Sequence, residues 1–401
     1  MTAHSGARAG PLLPPRLLAP DGRSPDGLDH VLQPFGSSRM LPAAAYTSPE
    51  VLAWERRHLF AGTWTCLGRA SDLRAAGDGE PLTQRAVVVG DIGVLLTWTD
   101  RLRAFANTCT HRGHELLGTD DTSSRRSIVC PYHAWSYHLA GHVQAAPGFR
   151  ELPSFVPADN GLVELPVETW HGWVFCHAAT AASPGAPVSF ADHVGELGRL
   201  VAPYTPEDLV LGARHTYQVA ANWKVISENY HECYHCPLIH PELCQVSPPT
   251  SGDNYDLPGA WVGGRMDLRD GARTMSLTGE SNGRPIPGAD PRTVEYLGLL
   301  PNLLISAHPD YLMAHRMVPL APDLTWVECS WYFLAGDIPV DPAYAVEFWD
   351  ITNRQDWSAC ESVQRGLASP HFRPGPFSPA EDAVHQFTTT IGRFYRGESL
   401  G

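Results

Sequence analysis

The stretch "ENYHECYHCPLIHPEL", residues 228–243, is dense in side chains that bind metal ions, with two carboxylates, three histidines and two cysteines in its first thirteen residues. His235 and His240 are five residues apart. On an unbroken α-helix that spacing turns them about 140° away from each other. Pro237 lies between them, and its ring would clash with the Cys233 carbonyl in a continuing helix. The helix should therefore end or kink there, which lets His240 turn back toward His235 and share a metal ion with it.

Two histidines need a third ligand, and two histidines with one carboxylate form a facial triad that holds Fe(II) and leaves positions open for dioxygen and substrate. The predicted helix at about 342–367 offers the carboxylate. Asp356 is the only charged residue on its mostly apolar stripe. A carboxylate that faces a core is costly unless it is paired or bound to a metal. Asp350 shares its stripe with charged neighbours, so we expect it to be solvated or paired, and we predict Asp356 as the third ligand.

Plainer interpretations of the 228–243 segment stay open at this point. A single core histidine is more often hydrogen-bonded than metal-bound, and Glu228, His231 and Glu232 could form an ordinary polar helix face. His231 and His235 have the i, i+4 spacing of a zinc protease, but the HExxH pattern is absent.

Cys233 and Cys236 have the C-x-x-C spacing of a redox pair. No thioredoxin-like βαβ context surrounds them, so we expect buried free thiols instead. The chain has nine cysteines, an odd number that suits a reducing compartment better than a disulfide framework.

A second set of ligand-type residues follows the pattern Cys109-x-His111, eighteen residues, Cys130-x-x-His133. Four such ligands could hold one structural zinc ion. They could also hold a 2Fe–2S cluster, with two thiolates on one iron and two imidazoles on the other. Zinc fingers usually supply a Cys pair and a His pair, whereas each segment here supplies one of each, which favours a cluster held between two loops. Residues suited to tight loops and to shielding the cluster from water flank the pattern: Gly113, Pro131, Trp135 and Tyr137.

The elements that must position these residues differ between the two halves. Short β-branched or alternating runs, such as "RAVVVGDIGVLLTWTD", indicate a small, mostly antiparallel β domain over residues 60–178. A helix capped by Ser48 is predicted before it, and "AATAASPGAPVS" after it is a predicted linker. The second half combines long predicted strands with helices at 225–236 and about 342–367. That pattern is typical of an α+β domain.

Composition excludes several functions. The 401-residue chain has a formal net charge of −14, which argues against nucleic acid or an anionic membrane as the main partner. It has no run of eighteen apolar residues, so we expect no transmembrane helix. The first residues lack a secretory apolar stretch, and their Pro, Gly, Arg and Ala content predicts a flexible leader over 1–40. We expect a cytoplasmic protein.

The Cys-His pattern resembles the Rieske iron–sulfur proteins. "NWKVISENYHECYHCPLIH" resembles the mononuclear-iron segment of the Rieske non-haem iron oxygenases, which include the alpha subunits of ring-hydroxylating dioxygenases and related monooxygenases. The similarity runs from about residue 45 to 390. It implies an all-β Rieske domain with a flanking helix over 41–180 and a helix-grip catalytic domain over 181–401.

Carried onto this chain, the resemblance also implies roles for single residues. The ligands of a 2Fe–2S cluster would be Cys109, His111, Cys130 and His133, and the ligands of a mononuclear non-haem Fe(II) would be His235, His240 and Asp356. Glu232 would be the carboxylate that bridges to the cluster of a neighbouring subunit. Asn229 would lie beside the iron pocket, with a one-residue length difference just after it. The resemblance implies a homotrimer, because cluster and iron of one subunit belong to separate domains. No GxGxxG fingerprint is present, so we expect the NAD(P)H-dependent flavin or iron–sulfur reductase to be another protein.

The expected function is that of a terminal oxygenase that uses O2 to hydroxylate or oxidatively N-demethylate a small molecule. The iron segment looks closest to monooxygenases of N-methylated ammonium compounds such as glycine betaine and stachydrine. Such substrates need aromatic faces, and candidates are Tyr230, Tyr234, Trp261, Tyr296, Tyr311, Trp331 and Phe333. The alternatives are cis-dihydroxylation of an aromatic ring and, from another class, a non-catalytic Rieske electron-transfer protein.

Overall fold

A computed structural model describes residues 28–75, 82–179, 188–336 and 340–400. The chain divides into two compact units: a small unit, Glu55–Pro187, and a large unit formed by Met1–Trp54 with Val188–Gly401. Most of the predicted linker and residues 1–27 of the predicted leader lie outside the described residues. The domain boundaries stay predictions.

Short helices begin the described chain: α1 Leu28–Val31, α2 Ala43–Thr47 and α3 Pro49–Glu55. The predicted cap is confirmed, because the Ser48 hydroxyl accepts the backbone N–H of Val51 at 3.3 Å. A π-helical turn, Arg56–Phe60, follows α3.

The small unit is a set of antiparallel sheets, as predicted. Its elements are β1 Thr65–Arg69, α4 Ala70–Arg74, β2 Gln84–Val89, β3 Ile92–Trp98, β4 Leu102–Ala106, β5 Thr122–Ser123, β6 Ser127–Val129, β7 Ser136–His138, β8 Val143–Ala145, β9 Glu164–Leu165, β10 Val167–Trp170 and β11 Trp173–Cys176. The sheet orders are β1-β11-β10, β5-β2-β3-β4-β9 and β6-β7-β8. Gly90, with a φ of +64°, occupies the first central position of the two-residue β2–β3 turn, where a tight hairpin needs glycine.

The large unit contains one seven-stranded antiparallel sheet, of order β12-β18-β17-β16-β15-β14-β13. Its strands are β12 Leu209–Val219, β13 Asp253–Asn254, β14 Trp261–Asp267, β15 Thr293–Leu299, β16 Leu303–Ala307, β17 Tyr311–Ala321 and β18 Leu324–Leu334. Its further helices are α5 Phe190–Val194, α6 Leu197–Val201, α7 Trp223–Tyr230, α8 Cys236–Ile239, α9 Pro241–Val246, α10 Ala343–Leu367 and α11 Asp382–Tyr395. The prediction of an α+β unit is confirmed.

Helix α10 packs its apolar stripe against the sheet. Phe348 and Trp349 of α10 share a core cluster with Tyr311, Trp331 and Phe333 of the central strands. Because the stripe is buried, the polar groups it carries point into the interior of the unit. This places Asp356 where a partner is required.

The prediction of one helix over 225–236 is wrong. Helix α7 ends at Tyr230, residues 231–235 form turns, and α8 begins at Cys236. The carboxylate of Glu232 accepts the backbone N–H groups of Tyr234 and His235, which would otherwise bond along a helix. Pro237 lies in the first turn of α8, where its missing N–H costs nothing. Helix α11 and strand β14 had not been predicted.

Candidate active site

Three side chains converge between α7 and α10. The His240 Nε2 atom lies 2.8 Å from Asp356 Oδ1, His235 Nε2 lies 3.2 Å from the same oxygen, and the two Nε2 atoms are 3.1 Å apart. In an octahedral site, donor atoms about 2.1 Å from the ion and at right angles lie about 3.0 Å apart. The three atoms therefore fit one face of an Fe(II) octahedron.

Hydrogen bonds to the other ring nitrogens fix both histidines in the tautomer that a metal needs. The Nδ1 atom of His235 donates to Glu232 Oε1, and Nδ1 of His240 donates to Gln355 Oε1 at 2.7 Å. The Nε2 atoms face Asp356 and are the ring nitrogens left for an ion. Partners of this kind orient ligand histidines in metalloproteins.

The charges of the centre favour a cation. Burial alone would lower the pKa of His235, but the hydrogen bonds and charges of Asp356 and Glu232 outweigh it and raise that pKa to about 10. Burial would raise the pKa of Asp356, but its two histidine neighbours outweigh burial and lower it. Two carboxylates thus provide negative charge at a nearly enclosed place.

The remaining polar residues of the segment do not form a solvated face. Glu228 accepts a hydrogen bond from the Tyr46 hydroxyl at 2.7 Å, and neither ring nitrogen of the buried His231 has a hydrogen-bond partner among the described residues. Asn229 Nδ2 lies 3.4 Å from His235 Nε2. Asn229 is therefore placed next to the predicted iron ligands, whereas His231 is a core residue.

The expectation of free thiols at Cys233 and Cys236 is wrong. The two sulfurs form a disulfide, with Cα atoms 4.9 Å apart. The turn at 231–235 and the first residue of α8 hold the two sulfurs at bonding distance. The other seven cysteines are free in the structure.

A cavity of about 680 Å³ opens onto the three converging residues. Its wall includes five large aromatic side chains: Tyr230, Tyr234, Tyr296, Trp349 and Trp357. Three of these were among the predicted candidates. The other four candidates, Trp261, Tyr311, Trp331 and Phe333, are buried and do not line the cavity.

Sequence reasoning missed Trp349, Trp357 and Gln355 as site residues. Trp349 lies on the same predicted stripe as Asp356, whereas Trp357 lies on the stripe of Asp350, and the helical period did not say that either tryptophan faces a cavity. Gln355 has no signal either, because a glutamine beside an aspartate on a helix is ordinary. Its role depends on where α8 and α9 place His240.

In the small unit, Cys109 and Cys130 each begin a turn of the same form. Gly113 N–H donates to the Cys109 carbonyl at 2.8 Å, and Ala134 N–H donates to the Cys130 carbonyl at 3.1 Å. Gly113 and Ala134 both have positive φ, of +73° and +57°. Two loops of matching geometry thus present one cysteine and one histidine each.

The two cysteines of these loops are buried, and the two histidines are partly exposed. Cys109 and Cys130 are each 2% exposed, whereas the His111 and His133 rings lie 4.8 Å apart and are partly exposed. Partial desolvation and the neighbouring charges of His111 and Arg112 lower the pKa of His133, which favours the neutral imidazole that binds metal. Buried thiolates and outward imidazoles suit a 2Fe–2S cluster with two different irons.

Aromatic residues pack around this set. Trp135 is buried and stacks on His111, with ring centroids 4.9 Å apart and planes 3° from parallel. The Tyr137 hydroxyl lies 3.1 Å from the Cys109 sulfur. The expectation that both shield this region from water agrees with their burial.

Two Cys-His loops on an antiparallel β unit, together with a two-histidine, one-carboxylate centre on an α+β unit, define an iron-dependent oxygenase with its own electron-storing cluster. Residues 63–156 match the family described as "Rieske [2Fe-2S] domain". Residues 206–397 match "Ring hydroxylating alpha subunit (catalytic domain)".

Relatives extend over most of the chain. The glycine betaine monooxygenase oxygenase subunit of Chromohalobacter salexigens is 29% identical over 392 residues, which covers 88% of this chain and 85% of that protein. The carnitine monooxygenase oxygenase subunit of Escherichia coli (strain K12) is 30% identical over 341 residues, covering 83% and 85%. The crystal structure of a quaternary ammonium Rieske monooxygenase, described in terms of carnitine oxidation and inter-subunit electron transfer, superposes with a TM-score of 0.72 at 25% identity, covering 92% and 98%. A naphthalene 1,2-dioxygenase from Rhodococcus sp. has the same fold, with a TM-score of 0.72 at 17% identity, covering 95% and 99%.

The chain belongs to the Rieske non-haem iron oxygenases. It is the terminal oxygenase component of such a system, with a Rieske 2Fe–2S cluster and a mononuclear iron as cofactors, and it takes O2 and electrons from a separate reductase. None of the described helices combines the length and apolar character that crossing a bilayer requires.

Proposed function

We propose that this oxygenase oxidises an N-methyl group of a small methylammonium compound and so removes it. The aromatic wall of the 680 Å³ cavity beside the His235–His240–Asp356 centre carries the proposal. Aromatic faces attract a quaternary ammonium that has left water, by about 0.5–2 kcal/mol each. The names of the curated relatives, which act on glycine betaine and carnitine, support the same substrate class.

Several aromatic rings of the cavity wall lie next to one another. The Tyr230 and Tyr296 rings lie 6.0 Å apart, and the Tyr296 and Trp349 rings 6.4 Å apart, each pair nearly perpendicular. Trp357 lines the same space, and its indole N–H has no hydrogen-bond partner among the described residues. The wall thus offers π faces, while the negative charge is concentrated at the metal centre.

In the proposed assignment, His235, His240 and Asp356 hold the Fe(II), while Cys109, His111, Cys130 and His133 hold the cluster. When bound, the iron supplies O2 activation and the cluster supplies electrons one at a time. Glu232 and Gln355 keep the two Nε2 lone pairs directed at the ion. Asn229 occupies the cavity side of His235, where it is placed to position the substrate or dioxygen.

The reaction balances with two electrons and two protons. One atom of O2 is inserted into a methyl C–H bond, and the other leaves as water. The N-hydroxymethyl product then releases formaldehyde and a proton, and the nitrogen keeps its electron pair as a tertiary amine. The electrons come from the reductase through the cluster.

We infer that electrons enter from the cluster of a second copy in a homotrimer. Two large, mainly apolar side chains of the Glu232 segment are exposed on the large unit: Leu238 is 90% exposed and Tyr234 is 64% exposed. Exposed apolar groups beside a buried metal site are expected where another protein docks. Glu232 would then accept a hydrogen bond from the exposed edge of His133 in the neighbouring copy.

The metal assignment is tested by a matched pair of variants on one helix. Asp356→Ala should lose the mononuclear iron and keep the cluster absorption. Asp350→Asn is the control, because Asp350 is bound to Arg354 at 2.8 Å and to Tyr217 at 2.7 Å, away from the centre. Iron content and acid-labile sulfide are measured on both. Full iron in the Asp356 variant would refute the assignment.

The substrate class is tested by turnover with a reconstituted reductase. Quaternary and tertiary methylammonium compounds should consume O2 and release formaldehyde in equal amounts. Small arenes should give neither diol nor coupled O2 consumption. Formation of a cis-diol from an arene, with no formaldehyde from any methylammonium compound, would replace the proposal with ring dihydroxylation.

A further inference from the structure

The Cys233–Cys236 disulfide lies in the wall of the active-site cavity, and one of its sulfurs lies near His235 and His240. The Cys236 sulfur and ring nitrogens of His235 and His240 all lie within 4.8 Å of one another. Cys236 is 3% exposed, and both cysteines line the cavity. The sulfur is thus within 4.8 Å of a ring nitrogen on each of two proposed iron ligands.

We propose that Cys236 is a fourth metal-binding residue, which the disulfide with Cys233 withholds from the ion and which reduction of that disulfide releases. This inference rests on the proposed ligand set of His235, His240 and Asp356. Only a thiolate is a strong sulfur ligand for such an ion. In the disulfide, the Cys236 sulfur is bonded to carbon and to the Cys233 sulfur instead.

The distances allow the released sulfur to reach the ion. A thiolate binds a divalent metal at about 2.3 Å and an imidazole at about 2.1 Å, so two such donors on one ion lie at most about 4.4 Å apart. The 4.8 Å bound exceeds this by a few tenths of an ångström. Rotation of the freed Cys236 side chain covers that difference.

A purely structural role explains the disulfide poorly. Its residues are three apart, and so short a loop gains little from cross-linking. The same turn is already held by Glu232, which accepts from the backbone of Tyr234 and from the backbone and ring of His235. Control over the Cys236 sulfur is a function that these hydrogen bonds do not supply.

The consequence is a change in the open positions of the metal. A facial triad leaves three of six positions free for O2 and substrate. A thiolate would occupy one of them, so reduction would slow oxygenation. The step balances: a dithiol is oxidised to its disulfide, or a phosphine with one water to its oxide, which provides two electrons and two protons. The S–S bond breaks to give two thiols, and Cys236 loses its proton as it binds the ion.

X-ray absorption at the zinc edge tests this in the full-length protein, with zinc replacing the mononuclear iron and the cluster kept intact. Zinc is redox-inert, and its spectrum is separate from that of the cluster irons. A phosphine reductant, removed before zinc is added, avoids added thiols. Untreated wild type should show only nitrogen and oxygen neighbours, and reduced wild type should show one sulfur at about 2.3 Å.

Two variants make the result specific. Cys233→Ser, which leaves Cys236 permanently free, should show the sulfur without reductant. Cys236→Ser should show no sulfur neighbour of zinc in either state. Any sulfur signal in this variant would come from zinc at the cluster cysteines and would be the background for the other samples. His240→Ala should lose the bound zinc, which tests the ligand set separately from the sulfur.

Two results would overturn the proposal while leaving the proposed function intact. One is histidine-dependent zinc without a sulfur neighbour in both reduced wild type and Cys233→Ser. The other is alkylation of Cys233 and Cys236 in air-equilibrated protein that has met no reductant, since the disulfide would then not withhold the sulfur. Zinc binding that does not depend on His240 would instead refute the ligand set on which both proposals rest.

Discussion

The hydrogen bond between Tyr137 and Cys109 should set part of the reduction potential of the cluster. The Tyr137 hydroxyl lies 3.1 Å from the Cys109 sulfur, and the side chain is fully buried. Burial, together with the bond to Cys109, raises the pKa of Tyr137 to about 12, so the phenol keeps its proton. A cluster-bound thiolate has no proton, so the phenol would be the donor. Reduction makes the cluster more negative, which strengthens this bond. Tyr137→Phe should therefore lower the potential.

The size of the shift follows from the energy of one buried hydrogen bond to a charged sulfur. Such a bond stabilises the folded protein by about 1.5–3 kcal/mol, and we take about 1 kcal/mol as the part that differs between the two oxidation states. For a one-electron couple, about 1.4 kcal/mol corresponds to about 59 mV. The expected decrease is therefore about 40 mV. The backbone N–H of Thr110, which also reaches the Tyr137 hydroxyl at 3.2 Å, loses its partner in the variant and adds some destabilisation of the loop.

The measurement is a redox titration of the purified protein, followed by the visible absorption and the paramagnetic signal of the reduced cluster. Tyr132→Phe is the matched control. Its ring lies 3.7 Å from that of His133, and it is 52% exposed, so it removes a nearby hydroxyl that does not contact a cysteine sulfur. Equal potentials for wild type and Tyr137→Phe, at full cluster content, would refute the reasoning.

Three further predictions follow from the large unit. Burial raises the pKa of Glu228 to about 7, although the Tyr46 hydrogen bond partly opposes this, so the stability that its protonated form contributes below about pH 4.5 is lost as the pH rises through 7. Glu228→Gln should therefore be more stable than wild type by about 2–3 kcal/mol in urea unfolding at pH 8 and similar to it at pH 4.5, and parallel pH profiles of the two proteins would contradict this. Glu232→Gln should keep both metals yet slow oxidation of a pre-reduced cluster in single turnover, because its Oε1 atom links His235 to the proposed neighbouring His133; an unchanged rate would count against the bridge. Trp357→Leu should raise KM for a methylammonium substrate about fivefold, as expected for about 1 kcal/mol of cation–π attraction, while iron content stays constant; an unchanged KM would remove Trp357 from the binding site.

The sequence was sufficient to place Asp356, rather than Asp350, beside the two histidines, because burial follows helical period. Both carboxylates are on α10, but only Asp356 lies on the apolar stripe that faces the core, and it reaches His240 at 2.8 Å. Asp350 lies outside the stripe and pairs with Arg354, as predicted. The turns of the Cys-His loops were readable only in part, since Gly113 predicts the positive φ after Cys109, whereas Ala134, at +57°, gives no such signal after Cys130.

The aromatic wall could not be read from the sequence in the same way. Tyr311, Trp331 and Phe333 alternate on neighbouring strands with residues that face the opposite side, and period alone does not say which side faces a cavity. Trp349 and Trp357 line the cavity because of the position at which α10 packs against the sheet. Distances of that kind depend on tertiary packing, and so does the contact of Gln355 with His240.

The turn between α7 and α8 shows how a correct conclusion can follow from a wrong local structure. The prediction required Pro237 to break a helix so that His240 could turn back, but the helix has already ended at Tyr230. The side chain of Glu232 takes the place of helical hydrogen bonds, since it accepts the backbone N–H groups of Tyr234 and His235 while it also holds the His235 ring. One carboxylate therefore ends the helix, selects the tautomer of a metal ligand and remains near the surface where we propose that a second copy docks. The backbone turn and the direction of the His235 lone pair cannot vary independently, which explains why so short a segment can present two histidines to one ion.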